Sequence, residues 1–538
     1  MTDLGKLVTD HLEMWTTAVK RKSGAGRSSS SKVELYGIKK LRELILELAV
    51  RGQLVPQDAN DEPASQLLQR IASEKAELVK EGKLKSEKAL PSVDEEPKHF
   101  QLPKGWAWAR VNDTAQYING LAFKQSDWGS SGRPIIRIQN LSGRNEEFNR
   151  TEKAVSESLL VNKGDLLVSW SATLDVFVWE KDEVGVLNQH IFKVVPIRCI
   201  HKDYLFWLLK AAIKEMEASE HAHGLVMTHI NRGPFLAHLI ALPPLEEQKR
   251  IAEKLQELMA LCDRLEEETE FILNTHKKLL ESLLNTLNSA TDHDQFSSAW
   301  QRIASHFDML FDNEESVDQL KQAILRLAVE GVLVKFPADS SRVALREVLS
   351  FGPRNGFSPR ESSNETGQKV LKLGATSYGK LDLLQVKFFE DEIPPNSHLW
   401  LKAGDILIQR GNSHNFVGVN VLINADVENV IYPDLMMKLR VREGILAEYV
   451  SLWLSALPAR THMWEAMTGT SGTMPKISKG VVESIPIVIP PVEVQELVVS
   501  TSKHLLMVCD QLKMRLNEAQ TIQLNLSDAM VENALARQ

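Results

Sequence analysis

Residues 41–55, LRELILELAVRGQLV, recur at 320–334 as LKQAILRLAVEGVLV, with nine of fifteen positions identical at an offset of 279. A second pair, PPLEEQKRIAEKLQELMALCDRL (243–265) and PPVEVQELVVSTSKHLLMVCDQL (490–512), shares eight of twenty-three positions at an offset of 247. The chain therefore holds two copies of one plan. Fainter echoes lie between the pairs: Asn119-Gly120 with Asn355-Gly356, RPIIRI (133–138) with QKVLKL (368–373), and NKGDLLVSW (162–170) with KAGDILIQR (402–410). The copies agree in their helical stretches and diverge between them. A duplicated scaffold with two different inserts has this pattern, and no catalytic motif repeats with it.

The helical stretches have a definite period. Ile251, Leu255, Leu258, Cys262, Leu265, Thr269, Ile272, His276, Leu279 and Leu283 alternate in steps of four and three, which is a coiled-coil seam. The second copy gives Val498, Ser502, Leu505, Cys509, Leu512, Leu516, Ala519, Gln523, Leu526 and Met530. Each helix of about 40 residues would span about 60 Å. His276 and Gln523 put a polar group at the same seam position, which fixes register at a cost in stability. Residues 104–242 instead carry short β-like runs (PIIRIQ, DLLVSW, DVFVW, IFKVV) between Gly, Asn and Ser turns, and residues 345–489 repeat that style. The expected fold is mixed α/β (α+β), with two strand-rich globular domains separated by two long antiparallel coiled-coil helices in a pseudo-twofold internal repeat. The expected segments are an N-terminal helical extension with a Ser-rich linker (1–38), a helical segment and linker (39–103), the first strand-rich domain (104–244), the central long helix and helical repeat (245–344), the second strand-rich domain (345–491) and the C-terminal long helix (492–538). Trp15 of HLEMW answers Trp300 of SSAWQRI, so the extension is expected to mirror the central region.

Composition removes whole classes of function. With 43% apolar and 25% charged residues the chain is neither disordered nor a rod. No apolar run approaches the ~18–20 residues that cross a bilayer, and the N-terminus is no secretory signal. Three cysteines, none in a CxxC pair, point to the cytoplasm. A net charge of −8 and a pI near 6.1 argue against coating nucleic acid by bulk positive charge, so any DNA-binding surface must be a local concentration of charge.

Catalytic signatures are missing. There is no Asn/Asp-Pro-Pro-Phe/Tyr, HExxH, GxSxG, zinc spacing or cofactor-binding Gly-rich loop. GATSYGKL (374–381) matches GxxxxGK, but Leu381 stands where a phosphate loop needs Ser or Thr, and a strand-like run follows, so a hairpin turn is expected. His221, His223, His229 and His238 cluster late in the first insert; a zinc site would need tetrahedral convergence and usually a cysteine or carboxylate, so ordinary turn and surface histidines are expected rather than metal ligands. Cys262 and Cys509 read as small core residues. The inserts offer other chemistry. GLAFKQSD (120–127), SWSAT (169–173), NQH (188–190) and THINRG (228–233) in the first, and PRNGFSPRESSN (353–364), QRGNSHN (409–415) and SGTMPKISKG (471–480) in the second, are small polar loops rich in groups that contact base edges and phosphates.

Together these features resemble the specificity (S) subunits of Type I restriction-modification systems, the HsdS family, over nearly the whole length. The marks are the duplicated LxxxILxLAVxGxLV segments, the Pro-Pro-(Leu/Val)-Glu-x-Gln start of each long helix, and the strand-rich insert ahead of each with its Gly-Asp strand entry. The resemblance implies a non-catalytic subunit whose inserts are target recognition domains, each reading half of a split double-stranded DNA target. The long helices would act as spacer and as docking surface for two modification (M) subunits, with two restriction (R) subunits joining. S-adenosylmethionine, ATP and Mg would then sit on partner subunits, and this chain would bind no cofactor, metal or membrane. The residues expected to contact DNA are Lys124, Gln125, Arg137, Gln139, Asn140, Ser169, Trp170, Gln189, His190, His229 and Arg232 in the first domain. In the second they are Arg354, Asn355, Arg360, Lys372, Arg410, Asn412, His414, Asn415 and Lys476. A two-armed protein-binding scaffold without DNA recognition is the rival reading. Steep weakening of binding with salt separates the two.

Overall fold

The structure is a computed structural model that describes residues 10–21, 33–81, 93, 100–217, 222–223, 229–290, 293–469 and 474–536. It divides into two compact units, Met1–Glu270 with Thr521–Gln538, and Phe271–Gln520. Six helices organise them: α1 (Tyr36–Val50), α2 (Lys202–Glu217), the long α3 (Leu245–Asn288), α4 (Glu314–Val329), α5 (Ala447–Ser455) and the long α6 (Val492–Ala536). The α3 helix starts in the first unit and ends in the second, and α6 does the reverse.

The repeat read from sequence is a repeat of packing. In α1 the buried positions Leu41, Leu44, Ile45, Leu48 and Ala49 correspond at the offset of 279 to Leu320, Ala323, Ile324, Leu327 and Ala328 in α4, which are also buried. Arg42 pairs with Asp263 at 2.7 Å in the first unit, and Lys321 pairs with Asp510 at 2.8 Å in the second. The glutamine of the Pro-Pro-x-Glu-x-Gln start is a buried clamp in both copies. Gln248 accepts from the backbone N–H of His201 and donates to the Pro243 carbonyl. Gln495 accepts from the N–H of Leu446 and donates to the Pro490 carbonyl. Each clamp ties a long helix to the segment that opens α2 or α5. Ahead of α1, Trp15 is fully buried and its backbone lies against Gly37, while Trp300 is half-buried between Phe296 and Phe307.

The seam of the long helices departs from the sequence expectation. From Ile251 to Thr269 it is buried, at 0–7% exposure. Beyond Thr269 the buried positions are Leu280, Leu284 and Leu287, while Ile272 and Leu279, both expected in the seam, are 64% and 49% exposed. The second helix slips at the matching place. Leu516 is half-buried, the buried residues beyond it are Ser527 and Ala534, and Leu526 is 49% exposed. A straight helix turns every 3.6 residues and drifts from a strict seven-residue repeat. An extra step of four, from Thr269 to the half-buried Leu273 and from Leu516 to the half-buried Gln520, absorbs the drift. Both slips fall where the helices pass from one unit to the other. Leu280→Ala is therefore expected to cost about 2–5 kcal/mol and Leu279→Ala less than about 0.5 kcal/mol in urea unfolding. Equal costs would mean an unbroken seam.

The strand-rich domains share one topology. The main sheet of the first contains β1 (Ala115–Asn119), β2 (Leu166–Ser169), β3 (Asp175–Val178) and β4 (Ile191–Pro196) in the order β1-β4-β2-β3, all antiparallel. The second contains β5 (Leu349–Asn355), β6 (Ile406–Gln409), β7 (Asn420–Leu422) and β8 (Met436–Val441) in the matching order β5-β8-β6-β7. Each domain adds a smaller sheet built on a parallel pair, Arg133–Ile136 with Gly185–Leu187 and Gln368–Leu371 with Val430–Ile431. Each is closed by its own ends, Ala107–Arg110 with Leu239–Leu242 and Ser341–Ala344 with Pro486–Ile489.

The Gly-Asp strand entries now have a physical reason. Gly164 and Gly404 have φ of 89° and 83°, a left-handed turn that glycine adopts without strain. The next residue caps that turn and receives a lysine from the neighbouring strand. Asp165 accepts from the N–H of Asn162 and pairs with Lys193 of β4 at 2.7 Å. Asp405 accepts from the N–H of Lys402 and pairs with Lys438 of β8 at 3.0 Å.

Candidate nucleic-acid interface

The antiparallel order of the main sheet places the ends of β1 and β2 and the start of β4 at one edge. In the parallel pair of the smaller sheet, Ile136 and Leu187 end at that edge too, and the N–H of Asn188 bonds to the Ile136 carbonyl. Four loop segments converge there. Gly120 N–H donates to the Ile191 carbonyl, and Gln189 N–H to the Leu121 carbonyl. Trp170 N–H donates to the His190 carbonyl, and Ile230 N–H to the Trp170 carbonyl.

The second domain repeats these bonds. Gly356 N–H donates to Met436, Arg410 N–H to Leu435, and Ile477 N–H to the Arg410 carbonyl. Residue 170 and residue 410 thus occupy the same backbone setting, as the alignment of NKGDLLVSW with KAGDILIQR implies. Both Asn-Gly pairs are close approaches. A Cβ on Gly120 would fall inside the Asn188 carbonyl, and one on Gly356 inside the Tyr432 carbonyl.

The two ends differ in side chains. In the first domain Trp170 lies edge-on to His190 at 4.6 Å and beside the buried Phe192 at 5.9 Å, with the Arg232 guanidinium over the Phe192 ring. His190 has a φ of 67°, unusual for a side chain with a Cβ. Trp170 Nε1 and His190 Nδ1 are buried without a hydrogen-bond partner. Ser169 is fully buried and donates to the Ser171 carbonyl. Lys124, Gln125 and Gln189 are exposed, and Arg137 stacks on Trp128 at 5.3 Å. Gln139 is half-buried on the short turn after Arg137. The Asn140 amide is used within its loop, accepting from Arg137 N–H and donating to the Asn145 and Glu147 carbonyls. The backbone of His229 pairs with His223, and the side chains of both lie outside the described residues, as does His221.

In the second domain the loop end is cationic. Arg410, Lys476 and Arg460 have no carboxylate partner among the described residues. Lys476 bridges to Gly411 and Thr468 through its backbone. His414 stacks on Trp464 at 5.4 Å, and Arg460 covers Trp464 at 4.9 Å. Burial pulls the Arg460 guanidinium down to about 10, and it donates to the Asn415 carbonyl. Asn412 donates to Gln409, which is fully buried and donates in turn to Leu373, Thr376 and Ser377. Lys372 is exposed, next in sequence to the Leu373 carbonyl that Gln409 binds. Arg354 is exposed at the end of β5, and Asn355 is half-buried with its carbonyl oxygen Oδ1 unpartnered. Arg360 stands apart, on the exposed run between Ser358, bonded to Asp434, and Ser362, bonded to Glu390.

Sequence reasoning missed Gln409, Arg460 and Trp464. Gln409 had a signal, since it aligns with Ser169. Arg460 and Trp464 lie in a helix without a counterpart motif, and only folding brings them to the loop. The other features resolve simply. The GATSYGKL run is a 3₁₀ turn leading to Val386–Phe389, which pairs antiparallel with Gln368–Leu371, so it is a hairpin. Burial raises both the Cys262 thiol, to about 11, and the Cys509 thiol, as fits core residues. Among the described residues no His/Cys/Asp/Glu group could hold a metal, and no helix is long and apolar enough to cross a membrane.

A protein with two matched loop platforms on one duplicated scaffold belongs to a class that presents two recognition surfaces. The comparisons specify it. Residues 103–274 match the Type I restriction modification DNA specificity domain family. The Escherichia coli EcoEI specificity subunit is 33% identical, covering 98% of this chain and 99% of the relative. The Escherichia coli EcoAI specificity subunit is 31% identical with the same coverage. A solved chain from work on complex assembly and conformational transition of the type I R-M system aligns with a TM-score of 0.50 at 16% identity, over 81% of this chain and 98% of that one. The chain belongs to the family of Type I restriction enzyme specificity subunits. The family match covers the first domain, and the internal repeat extends the same fold to the second.

Proposed function

We propose that this chain supplies the DNA sequence specificity of a Type I restriction-modification complex, with each domain reading one half of a split duplex target. The observation that carries it is the pair of loop platforms with the same backbone bonds and different side chains, which suits two readers of two sequences. The unpaired cations at the second platform are the local charge that an acidic chain needs for DNA. The chain itself contributes recognition and no catalysis. Adenine N6 methylation with S-adenosylmethionine would belong to two modification subunits, and ATP- and Mg-dependent steps to two restriction subunits, all in the cytoplasm. Support for two copies of one partner comes from two matched grooves of about 780 and 1340 Å³. Arg42, Leu46, Trp207 and Met259 line the first, and Lys321, Leu325, Leu452 and Leu506 stand at the matching places in the second.

The test is to co-express the chain with its modification subunit and map N6-methyladenine across the host DNA. A split motif with a fixed gap, methylated on both strands, is expected. Binding of the complex should fall with salt at a log–log slope of about −0.9 per phosphate contacted. Co-purification without new methylation would mean an inactive recognition module, and no co-purification, or binding indifferent to salt, would favour the protein-scaffold reading.

A further inference from the structure

We propose that Arg410 reads a guanine in the second half-site through paired hydrogen bonds to O6 and N7, an inference that rests on the DNA-specificity reading above. The Arg410 backbone is pinned on both sides, donating to Leu435 and accepting from Ile477, each at 2.8 Å. Its Nε is buried without a partner. The side chain as a whole is half-exposed, and no carboxylate neutralises it among the described residues. With Nε sealed, the two terminal nitrogens remain to meet a ligand, as an end-on fork. Two acceptors spaced like those on the major-groove edge of guanine match such a fork, and arginine to guanine is the commonest specific contact of this kind. Around it, Gln409 and Asn412 are locked in one hydrogen-bonded network. Gly411 leaves room for the Lys476 stem, which would crowd any added Cβ. The backbone that presents the fork is therefore fixed on both sides, which favours base reading over a loose phosphate contact.

The first domain supports this by contrast. Trp170 holds the same backbone position, and its Nε1 is likewise buried and unpartnered. An indole has one donor and cannot make the paired contact. One position on a shared scaffold thus carries a two-donor fork in one copy and a single-donor ring in the other. It is a place where the two half-sites are told apart.

The experiment uses the complex with its modification subunits, carrying wild-type chain, Arg410→Lys or Arg410→Gln. Methylation motifs are mapped, and duplexes with single base-pair changes compete for binding. The second half-site is expected to contain a guanine at which both variants relax, with discrimination falling roughly five- to 150-fold and the first half-site unchanged. If Arg410→Gln fails to assemble, Arg410→Lys decides, since it keeps the charge and most of the stem but cannot form the fork. A second half-site without a G·C pair overturns the inference. So does an unchanged motif in the assembled variants, or an equal loss on all duplexes with a salt slope reduced by about one, which is the signature of a phosphate contact. A wild-type complex with no split motif would bring down the recognition reading and this inference together. A split motif that ignores residue 410 would remove the inference alone.

Discussion

Replacing Asp405 with alanine is expected to cost the second recognition domain about 3–5 kcal/mol. Asp405 is fully buried and Lys438 is 3% exposed. The Asp405 carboxylate accepts from Lys438 Nζ at 3.0 Å, from Arg440 Nε at 3.0 Å and from the Lys402 N–H at 2.9 Å. Alanine would leave the ammonium with the Trp400 carbonyl, at 2.8 Å, as its one hydrogen-bond acceptor among the described residues, in a buried site. The matching Asp165 pairs with a lysine whose side chain is 11% exposed and is itself 26% exposed, so Asp165→Ala should cost visibly less. The loss at Asp405 has a pH signature. Burial already pushes Lys438 below the usual lysine range, against the pull of Asp405. Without the carboxylate it falls further. Between its folded pKa and the unfolded value near 10.5 the unfolded chain holds more protons, so stability rises with pH in that window. The Asp405→Ala protein should therefore recover part of its deficit as pH is raised toward 10.5, more than wild type gains over the same range. Urea unfolding across pH, with hydrogen exchange of residues 406–441 to localise the change, measures both. A deficit under about 1 kcal/mol that is flat with pH would mean that water reaches Lys438 and the pair is not a buried one.

Much of this architecture was legible because the duplication doubles each weak signal. The Gly-Asp entries and the Gln248 and Gln495 clamps are short motifs that alone specify little. Their recurrence in both copies marked them as structural, and they prove to bind strand to strand and helix to domain. The seam was legible only as far as Thr269 and Leu516. Beyond these the leucines at 279 and 526 keep the heptad, and only packing determines that Leu280 and Ser527 turn inward instead. The recognition loops were legible as places but less so as roles. Asn140 has the composition of a base reader and spends its amide on its own loop. Gln409 reads as a strand residue and proves to anchor Asn412. Arg460 and Trp464 come from a helix far along the chain, and no local pattern announces a contact that exists only in the folded domain.

Alanine at Gly120 is expected to abolish recognition of the first half-site and to spare the second, and alanine at Gly356 to do the reverse. The effect is steric. The Gly120 Cα faces the Asn188 carbonyl so closely that no Cβ fits, and the Leu187 carbonyl lies 2.9 Å from the same point. The obstacles are backbone atoms, so a rotamer change cannot make room. Either Asn188–His190 moves or the Gly120–Ile191 and Leu121–Leu187 bonds, at 3.1 and 3.0 Å, are lost. Both routes displace Gln189 and His190, and His190 carries the carbonyl that receives Trp170 N–H. The whole platform of the first domain shifts, while the sheet beneath it, with Phe192 and Ile191 fully buried, keeps the domain folded. Gly356 stands in the same relation to Tyr432, whose hydroxyl holds the Arg354 carbonyl, and to the loop that ends at Leu435 beside Arg410. The check is competition binding by the complex with modification subunits, using duplexes with either half-site scrambled. Wild type should lose affinity for both scrambled duplexes. The Gly120→Ala complex should be indifferent to scrambling of the first half and still reject scrambling of the second, and Gly356→Ala should give the mirror result. A displacement of an ångström at a reading side chain forfeits most of a base contact, so the loss at the affected half should reach about 100-fold. If both variants lost both halves equally, the two platforms would not be independent readers, and the assignment of one half-site to each domain would fail.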